Sequence, residues 1–214
     1  MATFKITKEQ SDRIQQHLAA IGALCYNWSH LDNVIVLAIG YFSECDEETL
    51  ACLLSTSKDT SQRCEIATKL LILRVGDGPW RKCACETFRL IQNKFCDKRN
   101  RLVHDEWEFH EDDIVRTTRA VRIAKSQAYR GESLTYKALT LTQPKEIEDF
   151  VLELVQVTFG ISILASQFEK QRNELQTLMP PEALQTLYKA YFPEPHPNKN
   201  PRPKQPQKAS RVKV

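Results

Sequence analysis

Glycine is scarce in this chain, with six residues among 214, so the chain has few of the turn residues that all-β folds use. Leu, Ala, Glu, Lys and Gln are abundant instead, and these residues favour helices over a sandwich or a barrel. With 42% hydrophobic and 27% charged residues, the composition suits one globular domain that is long enough to bury a sizeable core.

Long apolar runs are also missing. No stretch of the sequence approaches the roughly 20 apolar residues that a helix needs to cross a membrane. The first residues, MATFKITKEQSDRIQQ, are polar and include acidic side chains, without the apolar segment of a secretory signal peptide. We therefore expect a cytoplasmic protein with no membrane partner.

The cysteines form no recognisable framework. They number seven, which is odd, and none of them forms a Cys-x-x-Cys pair. Cys83-x-Cys85 has no second pair of cysteines or histidines that would complete a zinc site. We interpret all seven as reduced thiols of an intracellular protein, and we expect neither a metal ion nor another cofactor.

Positive charge is concentrated at the C-terminal end. The net charge of the chain is +3, but residues 193–214 alone contain six Lys or Arg against the single Glu194. Residues 1–192 therefore carry 24 basic and 26 acidic groups, a net charge of −2. Six of the ten prolines also lie in 193–214, so we predict one domain over 1–192 and a disordered tail. The tail would either increase solubility or hold nucleic acid in a salt-sensitive way.

Apolar residues recur every three or four positions along much of the chain, as Ile14, Leu18 and Ile21 do, which indicates helices that bury one face. Between 107 and 141, Val, Ile, Thr and Tyr surround the turn signal YRGES and predict a β-hairpin or a small sheet. The predicted fold is mainly α, a helical bundle with this β insertion before the C-terminal helix. Helices are predicted over 7–24, 26–42, 47–54, 60–75, 80–104, 143–170 and 180–192.

The longest central helix ends in the stretch CDKRNRLVHDEW, residues 96–107. Its apolar stripe consists of Phe88, Ile91, Phe95 and Leu102, and Arg99 takes the step that is missing from this stripe. Asn100 and His104 are four residues apart and share a neighbouring face. At 100° per residue, Arg99 and His104 point about 140° apart, so Arg99 must reach around the helix to meet a shared ligand.

Physical reasoning about the helix alone leaves two interpretations of these polar residues open. Cationic side chains near the C-terminus of a helix complement its dipole, and Arg99 could extend from the stripe to water. Alternatively, the three residues form an anion site. Arg99 would bind phosphate, Asn100 would orient a group, and His104 would move a proton near neutral pH.

The segment RNRLVH resembles the Arg-polar-x-x-x-His motif of the HEPN superfamily (higher eukaryotes and prokaryotes nucleotide-binding domains). Arg99 matches the motif arginine, Asn100 the polar residue that commonly follows, and His104 the motif histidine. The helix beginning WSHLDNVI lies about seventy residues upstream, and the resemblance covers residues 8–170. It implies an up-and-down four-helix bundle that is frequently a homodimer.

The resemblance also implies a function. Many HEPN proteins are metal-independent endoribonucleases in which the ribose 2′-OH attacks the adjacent phosphate, and such proteins act as toxins or defence factors. Others are non-catalytic binding modules, or partners of an antitoxin or of a nucleotidyltransferase that modifies them. For this chain it implies RNA as substrate, Arg99, Asn100 and His104 as catalytic residues, and a homodimer. Asp32 would either complete the site, as acidic residues do in some relatives, or face solvent.

Overall fold

The computed structural model of the chain describes residues 7–110, 113–121, 134–139 and 144–191, so the predicted tail at 193–214 lies outside the described residues. The helices are α1 (Lys8–Ser43), α2 (Glu47–Leu54), α3 (Thr60–Arg74), α4 (Pro79–Leu90), α5 (Cys96–His104), α6 (Pro144–Gln171) and α7 (Glu182–Tyr191). A π-helical segment, Ile91–Phe95, joins α4 to α5, and a short 3₁₀ segment, Arg172–Glu174, follows α6. The strands are β1 (Glu106–His110), β2 (Asp113–Val121) and β3 (Leu134–Leu139).

One helix, α1, replaces the two helices predicted over 7–24 and 26–42, so that prediction was wrong. The helix starts at a capping box: the Thr7 hydroxyl accepts from the Gln10 N–H at 3.2 Å, and the Thr7 N–H donates to the Gln10 side chain at 3.0 Å. No proline interrupts it, and Gly22 alone does not break a helix whose buried face is continuous. That face consists of His17, Ala20, Leu24, Trp28, Leu31, Val34, Ile35, Ala38, Ile39, Phe42 and Ser43.

The buried face near the start of α1 also differs from the predicted apolar stripe. Leu18 is 62% exposed, whereas its neighbour His17 is 5% exposed and faces the core. Local apolar spacing favoured Leu18, but the packing of the whole helix places His17 and Ala20 inside.

The helix predicted over 80–104 is confirmed, as one helical rod from Pro79 to His104. Pro79 occupies its first turn, where a missing N–H costs no hydrogen bond. The middle of the rod, Ile91–Phe95, is π-helical rather than α-helical. Such segments are rare and frequently occur near functional sites. This one directly precedes the helix that carries the motif.

Contacts along the rod define the directions of the long helices. Phe42 of α1 meets Phe88 of α4 with ring centroids 6.2 Å apart, while the Arg99 guanidinium of α5 lies 5.8 Å from the Trp28 ring. The rod therefore runs antiparallel to α1. It also runs antiparallel to α6, because Trp80 donates to Gln167 at 2.8 Å at one end and Phe95 packs on Phe150 at the other. A helical bundle is thus confirmed.

Three antiparallel strands in the order β1-β2-β3 follow the rod. In their register Trp107 pairs with Arg116, and Arg116 pairs with Leu139. Trp107 joins this sheet to the bundle, because its Nε1 donates to the Leu102 carbonyl at 3.2 Å and its ring meets His17 with centroids 4.2 Å apart. Within the predicted β region, residues 111–112, 122–133 and 140–141 lie outside the described part of the chain.

Within the described residues, every helix is too short or too polar to span a lipid bilayer. The seven cysteines are all free. Burial raises the pKa of Cys83 to about 11 and that of Cys96 to about 11, so these thiols stay protonated near neutral pH. Their surroundings therefore do not favour thiolate chemistry.

Candidate functional site

The last two turns of α5 bring the three motif side chains together. Arg99 Nη1 donates to Asn100 Oδ1 at 3.0 Å and lies 3.1 Å from His104 Nε2. Arg99 thus reaches around the helix, as the 140° separation required. Because a guanidinium can only donate, this contact is a hydrogen bond when Nε2 of His104 carries no proton and accepts from Arg99 Nη1.

The base of the Arg99 side chain is shielded by the bundle, and its tip contacts Asn100 and His104. The side chain is half-buried, and it lies on the same helical stripe as Phe95 and Leu102, which are 0% and 3% exposed. Its Nε is shielded from solvent without a hydrogen-bond partner, and Cζ lies 5.8 Å from the centroid of the Trp28 ring. The ring face attracts the cation and limits where it can move. The Nη atoms are thereby directed towards Asn100 and His104, which are both exposed.

The charge of Arg99 is not neutralised locally. Among the described residues, no carboxylate lies within 4.0 Å of its guanidinium. Other arginines of the bundle do form such ion pairs, namely Arg63, Arg74, Arg81, Arg101, Arg116 and Arg172. A half-buried cation without a carboxylate has a local positive potential that an incoming anion would reduce.

Asp32 belongs to a different contact. Its carboxylate accepts from the Thr60 hydroxyl at 3.0 Å and forms an ion pair with Arg63, both on the first turn of α3. Its side chain is 24% exposed. Among the hydrogen bonds of the described residues, Asp32 has none to Arg99, Asn100 or His104, so the structure does not bring it into the motif cluster.

Asp32 nevertheless lies at the edge of the site. It stands one helical turn after Trp28 on α1, the residue that supports Arg99. Burial, together with the nearby carboxylates of Asp59 and Asp32, raises the pKa of Cys96, while Arg99 lowers it. Asp32 and Arg99 thus shift the pKa of the same thiol in opposite directions.

Two tryptophans that sequence reasoning did not assign support the motif. Trp28 supports Arg99, and Trp107 donates to the Leu102 carbonyl, one of the last carbonyls of α5 that have no partner within the helix. The chain has three tryptophans, and one of them follows the motif histidine by three residues. The position of Trp107 close to the motif was the signal available in the sequence. Its partner His17 lies far away in sequence, so the contact between them could not be predicted.

The arrangement supplies one fixed cation and one imidazole next to solvent. It can bind an anion through Arg99 and transfer one proton at a time through His104. Among the described residues, no three His, Cys, Asp or Glu side chains cluster closely enough to hold a metal ion.

No protein-family model, curated protein or solved structure matches this chain.

Proposed function

We propose that this chain is an endoribonuclease of the HEPN type that cleaves RNA without a metal ion, with Arg99, Asn100 and His104 as its active site. One observation carries the proposal: Arg99 is half-buried, has no carboxylate partner among the described residues, and donates directly to the imidazole of His104. A cation held against an imidazole suits phosphate chemistry, because both groups can act on the same phosphodiester.

In the proposed reaction, His104 Nε2 accepts the proton of the ribose 2′-OH while O2′ attacks the adjacent phosphorus. The P–O5′ bond breaks, O5′ takes up a proton, and the products carry a 2′,3′-cyclic phosphate and a 5′-OH. Binding of the phosphate would draw Arg99 Nη1 away from Nε2, which frees the lone pair that acts as base. Arg99 would then stabilise the charge that develops on the phosphorane oxygens.

The same scheme favours a homodimer. Each chain contributes one motif histidine, whereas the reaction needs one proton acceptor and one proton donor. Asn100 and His104 are exposed, so a second copy could bring its own histidine to the same phosphate. Light scattering at micromolar concentration tests this, and a monomer would argue against two facing sites.

The biological role that we propose is that of a toxin or a phage-defence factor, restrained by an antitoxin or a nucleotidyltransferase partner. This part rests on the resemblance of RNRLVH to the HEPN motif. Toxicity on expression, compared with that of His104→Ala, tests it. Equal growth with both versions would argue against a toxin.

Cleavage of end-labelled RNA in the presence of EDTA tests the activity. His104→Ala should abolish cleavage, and Arg99→Ala should lower it by the equivalent of roughly 2–4 kcal/mol of transition-state stabilisation. Asn100→Ala should have a milder effect. The matched control is His30→Ala, which removes an exposed histidine of α1 that is not part of the motif, and it should retain full activity.

Two results would reject the ribonuclease. One is a purified protein that cleaves no RNA under any condition, and the other is a His104→Ala protein as active as its parent. The non-catalytic binding module would then be the better description, with Arg99 holding the end of α5.

A further inference from the structure

The outer side of α6 carries a stripe of exposed apolar side chains. Leu152 and Phe159 are each 61% exposed, and Val155 is 47% exposed. Steps of three and four residues keep these three side chains on one face of the helix. Phe150, which packs on Phe95 of the rod, precedes Phe159 by nine residues and so points about 180° away from it. The stripe therefore lies on the side of α6 that faces away from the rod.

Charged side chains are missing from this side of α6. Between residues 150 and 168 the sequence contains one charged residue, Glu153, in a chain with 27% charged residues. Glu153 belongs to another contact, because it accepts from the Tyr191 hydroxyl of α7, and its Oε2 lies 3.7 Å from Lys98 Nζ. Depletion of charge together with an exposed aromatic side chain is typical of the core of a protein interface.

The groove between α1 and α6 widens this face. Leu37 and Tyr41 of α1 line it together with Phe168 of α6, and they are 61% and 42% exposed. Leu37 points about 140° away from Phe42, which packs on Phe88 of the rod, so this part of α1 also faces away from the rod. At about 200 Å² for each large side chain when fully accessible, the five exposed apolar residues present roughly 550 Å². Polar residues around them bring the face close to the roughly 800 Å² per partner that a stable interface buries.

The order of side chains along the stripe is symmetrical about Phe159. With steps of 4, 3, 4, 4, 3 and 4 residues, it consists of Glu148, Leu152, Val155, Phe159, Ile163, Ser166 and Lys170. Glu148 and Lys170 each lie 11 residues from Phe159, which is about three turns, so both end charges point within about 20° of its direction. Both are exposed, and neither forms an ion pair with another described residue. Asp149 and Glu169 point about 80° to either side.

We propose that this face of α6 binds a second copy of the chain, with the two α6 helices antiparallel and a two-fold axis beside Phe159. Phe159 then meets its counterpart at the axis, and Val155 faces Ile163 of the partner subunit. Glu148 faces Lys170 of the partner subunit, once at each end of the contact. A two-fold contact requires a surface that is complementary to itself, and the symmetrical stripe with opposite charges at its ends has this property. A parallel pair would instead place Glu148 next to its own counterpart.

This contact goes beyond the proposed ribonuclease and does not rest on it. The stripe faces away from the rod, whereas the motif residues lie on α5 of the rod. The α6 pair therefore leaves both motif clusters on its outer sides, open to RNA. It is a different contact from the pair of facing motifs, and a chain that makes both contacts assembles beyond a dimer.

Light scattering after gel filtration of the full chain tests the contact, in reducing buffer because the cysteines are free. At high micromolar concentration, Phe159→Glu should halve the mass of the wild-type assembly, because it places two carboxylates at the two-fold axis. The matched control is Leu73→Glu, which brings the same charge to an 80% exposed leucine of α3 and should keep the wild-type mass. Thermal melts of both variants should match the parent, since both side chains are mostly exposed.

The charges at the two ends of the stripe allow a test that removes no apolar group. Glu148→Lys alone, or Lys170→Glu alone, places like charges at both ends of the contact. Each should raise the dissociation constant of the pair roughly tenfold at low salt, and by less at high salt. Glu148→Lys combined with Lys170→Glu restores opposite charges, so the double variant should associate nearly as tightly as the wild type.

Three results would overturn the α6 contact: a monomeric wild-type protein, an unchanged mass of Phe159→Glu, or a double charge variant that associates no more tightly than the single ones. RNA cleavage by the same preparations separates this proposal from the ribonuclease. If Phe159→Glu keeps the wild-type mass while the wild type cleaves RNA, the contact fails and the ribonuclease stands. If the mass is halved and the double variant recovers, but the wild type never cleaves RNA, the contact stands and the ribonuclease fails.

Discussion

His17 should make the stability of this protein depend on pH. Its side chain is 5% exposed, both ring nitrogens are buried without a hydrogen-bond partner in the described structure, and its ring packs edge-on against Trp107 at 4.2 Å. Burial lowers the pKa of His17 below its ordinary value of 6.5, because a charged imidazole would lose its hydration without gaining a partner. The folded protein therefore holds this ring neutral.

The direction of this pH dependence follows from the pH at which the folded and the unfolded states each bind the proton. As the pH falls through about 6.5, the unfolded chain protonates His17 while the folded chain does not. The free energy of unfolding therefore decreases with falling pH, by up to about 1.4 kcal/mol per pH unit, until the lower folded pKa is reached. This loss of stability should also affect the motif helix. Trp107 packs on His17 and donates to the Leu102 carbonyl near the end of α5.

Urea denaturation of the wild-type protein and of His17→Phe at pH 7.5, 6.5 and 5.5 measures the effect. Groups other than His17 are common to both proteins, so the difference between their free energies of unfolding isolates this ring. Between pH 7.5 and 5.5 the wild type should lose up to about 1.4 kcal/mol relative to the variant. A difference that stays constant across these three pH values would refute the reasoning, whatever its size.

Two glycines should respond to alanine in opposite directions. A Cβ at Gly160 of α6 would lie 2.4 Å from Cδ2 and 2.5 Å from Cγ of the buried Leu184, so Gly160→Ala should lower the free energy of unfolding by about 1–3 kcal/mol. A Cβ at Gly22 would meet nothing within 4 Å, so Gly22→Ala should raise it by about 0.5–1 kcal/mol. Urea titrations in which both change it in the same direction would contradict this packing. Deletion of 193–214 should leave the melting temperature nearly unchanged, and a large decrease would mean that this segment packs on the domain.

Much of the helical architecture could be predicted from the sequence, because the signals that start and stop a helix are local. The α3 helix begins where Asp59 accepts from the Gln62 N–H at 2.8 Å, and the rod begins at Pro79. Both are properties of a few neighbouring residues. The prediction for α1 was wrong for the same reason, since no local signal near Cys25 shows that the segments 7–24 and 26–42 form one helix whose buried face runs from His17 to Ser43.

The candidate site, too, was predictable from the sequence only in part. Arg99, Asn100 and His104 lie within six residues of one helix, so the sequence alone determined that they could meet. Only the tertiary structure decided that Asp32 pairs with Arg63, on another helix, which leaves Arg99 without a carboxylate among the described residues.

The contacts that support the site also depended on tertiary structure. Trp28 lies against Arg99, and His17 packs against Trp107, so each contact joins residues that are far apart in the chain. Sequence periodicity determines which face of a helix is buried. It does not determine which other helix covers that face, and the partner of a charge or of a ring depends on that choice.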